Sequence, residues 1–131
     1  MKNRKQALAW LKRAESNLAQ ARLGQGTSEI FLEDLCFCAQ QASEKALKAL
    51  CISREIAFSR THDIGFLIDL LEEKGLTVPP ELTKARDLTQ YAVETRYPGA
   101  YEPVTKREYL NTLKVAQSLV SWVKETIEEK P

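Results

Sequence analysis

Gln40-Gln41-Ala42-Ser43-Glu44-Lys45-Ala46-Leu47-Lys48-Ala49 is the stretch on which the fold turns, because it carries two different helical faces at once. Ala42 and Ala46 extend a stripe through Leu35, Ala39 and Leu50, in steps of three and four that keep one side of an α-helix apolar. The small side chains on that stripe let neighbouring helices approach closely. Gln41, Glu44 and Lys48 fall at i, i+3 and i+7, a polar face about 10 Å long with Lys45 at its edge. The spacing predicts a helix from near Ile30 to Arg54.

The same logic works outward in both directions. Towards the N-terminus, Ala7, Leu11, Ala14, Leu18 and Ala21 line one face opposite Lys12, Arg13, Glu15 and Gln20, predicting an amphipathic helix over residues 3–23. Gly24, Gly26, Thr27 and Ser28 end it. Towards the C-terminus, His62 and Asp63 precede Ile64, Leu67, Ile68 and Leu71, a shorter helix that stops at Gly75. Pro79-Pro80 restarts the chain, and a fourth helix carries Leu82, Ala85, Leu88 and Ala92. It must end by Tyr97, because Pro98 disfavours helix in the residue before it. Thr105 and Glu108 form a capping-box pattern ahead of Leu113, Ala116, Val120, Val123 and Ile127, the fifth helix. No segment alternates with period two over a useful length. The expected fold is therefore all-α, an up-and-down four-helix bundle with one additional short helix, forming one domain over residues 1–131.

Composition narrows the function classes. Hydrophobic residues make up 44% and charged residues 28%, the balance of a soluble globular protein. Nineteen basic residues against eighteen acidic ones leave a net charge of +1, so contact with phosphate must come from a local cluster and not from a global field. Apolar runs are too short to span a bilayer, and the start Met-Lys-Asn-Arg-Lys-Gln has no signal-peptide core, which makes the cytoplasm the expected location. Cys36, Cys38 and Cys51 lack metal-ligand spacing, and one histidine cannot complete a standard zinc site. They read as small buried hydrophobes.

Chemistry concentrates at a few polar positions. On a solvated face Glu44 and Lys48 would be an ordinary i,i+4 pair worth roughly 0.2 to 0.5 kcal/mol; on a groove, Lys48 could hold a phosphate. His62 sits between Thr61 and Asp63, either of which can cap the following helix. Its imidazole can bind a phosphate when protonated or a base edge when neutral. Arg96, just before Pro98-Gly99, can grip a phosphate bidentately or bridge to Glu94 or a helix C-terminus. Tyr91, Tyr97 and Tyr101 crowd the same region and can pack or stack on a base.

Taken together, the central string, Thr61-His62-Asp63 and Thr95-Arg96-Tyr97-Pro98 resemble in order and approximate spacing the HEPN domain (higher eukaryotes and prokaryotes nucleotide-binding), in its small stand-alone prokaryotic form. The resemblance implies a nucleotide-binding groove using Gln41, Lys45, Lys48, His62, Arg96, Tyr97 and Tyr101, with no cofactor and no metal. It further implies a homodimer and a separately encoded minimal nucleotidyltransferase as partner. Lys48 and Arg96 are expected close together on one phosphate. Ribonuclease members of the family carry an Arg followed a few positions later by a His; here that place holds Tyr101, and a phenol is a poor general base at neutral pH. The expected function is a non-catalytic nucleotide-binding or partner module. The alternatives are a metal-independent endoribonuclease of a toxin–antitoxin pair, using Arg96 with His62 or Tyr101, and a helical interaction protein without a small ligand.

Overall fold

The structure is a computed structural model that describes residues 2–92 and 103–129. Four α-helices, α1 (Lys2–Arg22), α2 (Leu32–Ser53), α3 (Ile64–Glu73) and α4 (Lys106–Glu128), are joined by a 3-10 turn at Leu23–Gly26 and a 3-10 helix at Pro80–Ala92. Among the described residues there is no strand, and no helix is long and apolar enough to cross a membrane. The small-residue stripes do what their size predicts. Ala7, Ala14 and Ala21 of α1 and Ala39, Ala42 and Ala46 of α2 are buried, and α1 against α2 is the most extensive packing in the molecule. α4 closes on both helices, while α3 and the 3-10 helix cover the remaining side of α2. Gly24 permits the return from α1 to α2, since a Cβ there would lie 1.9 Å from Leu35 Cδ1.

The helix ends follow local chemistry. Asp63 caps α3 by accepting from Phe66 N at 3.2 Å, and Thr105 caps α4 by accepting from Glu108 N at 3.1 Å. Gly75, at φ +94, ends α3 with Leu76 N donating to Leu71 O. The same return ends α2, where Ile56 N donates to Cys51 O and Glu55 takes the left-handed position at φ 58.

One element differs from its sequence-based expectation. The fourth helix winds as a 3-10 helix over Pro80–Ala92. Its buried residues Leu82, Ala85, Leu88 and Tyr91 recur every three positions, the period at which 3-10 side chains eclipse, so this winding faces all four to the core. The shift also buries Tyr91, whose hydroxyl donates to Glu108 Oε2, and so removes it from the residues able to stack on a ligand.

Candidate functional site: an exposed histidine on a buried carboxylate

Most of the polar face of α2 is withdrawn from solvent, with Gln41 and Lys45 half-buried. Gln40, Glu44 and Lys48 are all buried, so the reading of Glu44 and Lys48 as a solvated pair is overturned. Residues from outside α2 cover them. Trp10 of α1 and Phe58 of the α2–α3 connection each place a ring against Lys48, with the centroid 5.9 Å from Nζ. Burying an ammonium requires a counter-charge, and Lys48 Nζ donates to Glu44 Oε2 at 2.9 Å.

Glu44 is the centre of this cluster. Its Oε1 accepts from Gln40 Nε2 at 3.0 Å and lies 2.9 Å from His62 Nδ1. Burial alone would raise the carboxyl pKa, but the hydrogen bonds from Lys48, His62 and Gln40 outweigh it and hold the group below its ordinary 4.5. Gln40 Nε2 also reaches the His62 carbonyl at 3.4 Å, and Gln41 Nε2 donates to Gln40 Oε1 at 2.8 Å. Among the described residues, of the donors gathered on Glu44 only His62 meets solvent: its side chain is 69% exposed, against 4% for Glu44 and 9% for Lys48.

The structure thus joins three of the expected site residues through Glu44: Lys48 and His62 directly, Gln41 by way of Gln40. Lys45 is turned elsewhere, donating to Asn17 Oδ1 of α1 at 2.8 Å, with Asn17 Nδ2 in turn bonded to Gln20. The ammonium of Lys48 is taken up inside the bundle rather than offered to a phosphate. Arg96, Tyr97 and Tyr101, and with them the expected approach of Lys48 to Arg96, lie outside the described residues. Sequence reasoning missed Gln40, Trp10 and Phe58. Gln40 was detectable, since it stands four residues before Glu44 on the same helix; the two rings come from distant parts of the chain.

The cysteines are unpaired. Burial pushes the Cys36 thiol up to about 12 and that of Cys51 up to about 11; Cys38 is half-buried and also raised by burial. All three are poor nucleophiles at neutral pH. Among the described residues no three His, Cys, Asp or Glu side chains gather as a metal site.

Comparison with known proteins gives a consistent result. A family profile described as the HEPN domain matches residues 7–126. A protein of Methanocaldococcus jannaschii named "Putative toxin MJ1304" is 30% identical over 145 aligned positions, which span 98% of this chain and 92% of the relative. The crystal structure of ST0689, an archaeal HEPN homologue, superposes with a TM-score of 0.72 at 32% identity, over 93% of this chain and 98% of that one. TT1696 from Thermus thermophilus superposes with a TM-score of 0.75 at 34% identity, over 91% of this chain and 96% of that one.

Proposed function

This chain belongs to the HEPN domain family, and on that premise we propose that it is a nucleotide-binding subunit of a two-protein system of the toxin–antitoxin kind. It works beside a separate minimal nucleotidyltransferase and meets its ligand through His62. One observation supports the reading: a buried carboxylate is surrounded by donors of which, among the described residues, the sole exposed one is an imidazole. A helix that only had to pack would be served as well by apolar residues at Gln40, Glu44 and Lys48. The relative named as a toxin supports the two-protein setting. Phe31 and Leu23, 74% and 63% exposed, give apolar surface for the second copy of a homodimer or for the partner.

Thermal melting with ribonucleotides tests this. At about 100 times the dissociation constant a ligand adds roughly 2.7 kcal/mol, a shift of several degrees for a domain of this size. His62→Ala, which removes one contact to the ligand, should cut the shift to about half at the same ligand concentration while leaving the unliganded melting point nearly unchanged, since the ring is mostly exposed. No response to any ribonucleotide at millimolar concentration would put the helical interaction protein first. The carboxylate–imidazole contact of Glu44 and His62 favours one second reading, a metal-independent endoribonuclease with His62 as base. Cleavage of labelled RNA that disappears in His62→Ala would establish it.

A further inference from the structure

We propose that Glu44 is a positioning residue that, with Gln40 behind it, holds His62 in the Nδ1–H tautomer, so that Nε2 faces the ligand as a hydrogen-bond acceptor and receives one of its hydroxyl groups. The proposal deepens the nucleotide-binding reading by assigning His62 to the sugar and not to the phosphate; its tautomer part stands independently of that reading.

The assignment follows from counting donors. An ionised carboxylate only accepts, and Glu44 is held in its ionised form by the ammonium of Lys48 at 2.9 Å and the amide of Gln40 at 3.0 Å. The ring atom 2.9 Å from Oε1 must therefore be the donor. In the neutral imidazole a proton on Nδ1 leaves the lone pair on Nε2. The other face of the contact is fixed as well. Gln40 Nε2 reaches the His62 carbonyl and is itself oriented by Gln41, so side chain and main chain of His62 are gripped from one helix. On the flanks, Asp63 N donates to Thr61 Oγ1 and Asp63 caps α3, which pins the residues before and after the ring.

The tautomer sets the ligand chemistry. A phosphate oxygen needs a donor, which Nε2 is not in this form, whereas a hydroxyl can donate to it. In a ribonucleotide the groups that fit are the ribose hydroxyls.

His62 is the only histidine, so long-range proton–nitrogen NMR reads its tautomer without assignment ambiguity. At alkaline pH, where imidazole rings are neutral, the wild-type chain should show a protonated Nδ1 and a bare Nε2. Glu44→Leu combined with Lys48→Met removes the carboxylate together with its buried counter-charge, and should return the ring towards the Nε2–H form favoured by an imidazole in water. A wild-type ring with its proton on Nε2, or a double variant unchanged from wild type, overturns the positioning role, and the wild-type measurement holds even if the variant fails to fold. Binding is then compared, at the same alkaline pH, for adenosine, guanosine, cytidine and uridine monophosphates and their 2'-deoxy and 3'-deoxy counterparts. Loss of the hydroxyl that meets Nε2 should weaken binding about tenfold, the upper end for one hydrogen bond, and His62→Ala should erase the discrimination. Equal binding of ribose and both deoxy forms overturns the hydroxyl assignment. Absence of all binding, with the tautomer as stated, removes the nucleotide reading and the hydroxyl assignment but confirms Glu44 in its positioning role.

Discussion

Two ion pairs in this molecule differ more in their surroundings than in their geometry. Lys48 Nζ lies 2.9 Å from Glu44 Oε2, with side chains 9% and 4% exposed. Arg86 Nη2 lies 2.6 Å from Asp69 Oδ1, with side chains 39% and 66% exposed. Distance alone would rank the second pair first. The dielectric reverses that order, because water screens Asp69 and Arg86 while Trp10 and Phe58 exclude it from Lys48. The buried pair nevertheless has a small net worth, since desolvating both charges costs nearly what their attraction returns. What burial changes is the penalty for losing one partner.

The largest effect should therefore come from Glu44→Leu alone. It strands the Lys48 ammonium beside the Trp10 and Phe58 rings and deprives His62 and Gln40 of their common acceptor. A loss of about 3 to 5 kcal/mol is expected, read as a lower urea midpoint with an unchanged slope. A loss below about 1 kcal/mol would mean that Lys48 escapes to solvent, and the contrast between the two pairs would break.

Acid should reach the same pair more gently. The folded Glu44 carboxyl binds its proton less readily than the unfolded chain's, so its contribution to stability is fully present above pH 4.5, the ordinary value, and is lost as the pH falls through the depressed folded value. Urea midpoints measured downward from neutrality should fall in that window more steeply for the wild type than for a chain lacking Glu44. Identical slopes would show that the carboxyl is not held in its charged form.

The double variant Glu44→Leu with Lys48→Met isolates the net worth of the pair. Both charges leave together and the volume is kept, while the Gln40 amide retains only the His62 carbonyl at 3.4 Å, so stability should recover most of the Glu44→Leu loss and settle about 1 to 2 kcal/mol below the wild type. A double variant as unstable as Glu44→Leu would locate the cost in packing and in the Gln40 amide, and not in the uncompensated ammonium.

How much of this was legible in the sequence depends on the range of the interaction. The apolar steps of α1, α2 and α4, the Asp63 and Thr105 caps and the stop at Gly75 are local, and all were readable within a turn or two. The period of three in Leu82, Ala85, Leu88 and Tyr91 was also on the page, and points to 3-10 winding once Tyr91 is counted as apolar. The Glu44–Lys48 spacing was visible, but its burial was not. Trp10 lies a whole helix earlier and Phe58 sits in a connection without regular structure, so nothing near α2 announces that its polar face is covered. The Glu44–His62 contact spans eighteen residues and depends on how the α2–α3 connection returns, which no periodicity encodes.

The smallest expected effect belongs to Asp69→Asn. The carboxylate is largely exposed, and the hydrogen bond from Arg86 is the main cause of its lowered pKa, slight desolvation opposing it and the charge of Arg86 adding to it. Arg86 does not depend on this partner for its place. Its Nη1 donates to the Gly65 carbonyl at 3.2 Å, so the guanidinium stays across the α3 and 3-10 helix contact when the charge on Asp69 is removed. Loss of Asp69's charge should leave the urea midpoint within its reproducibility, both at low salt and at about 1 M, where the Debye length shrinks to roughly 3 Å and exposed pairs are screened. A destabilisation that appears at low salt and vanishes at high salt would give the exposed pair a measurable surface term, still far below the loss expected for Glu44→Leu. A destabilisation equal at both salt concentrations and as large as that of Glu44→Leu would show that hydrogen-bond geometry, and not exclusion of water, ranks the two pairs.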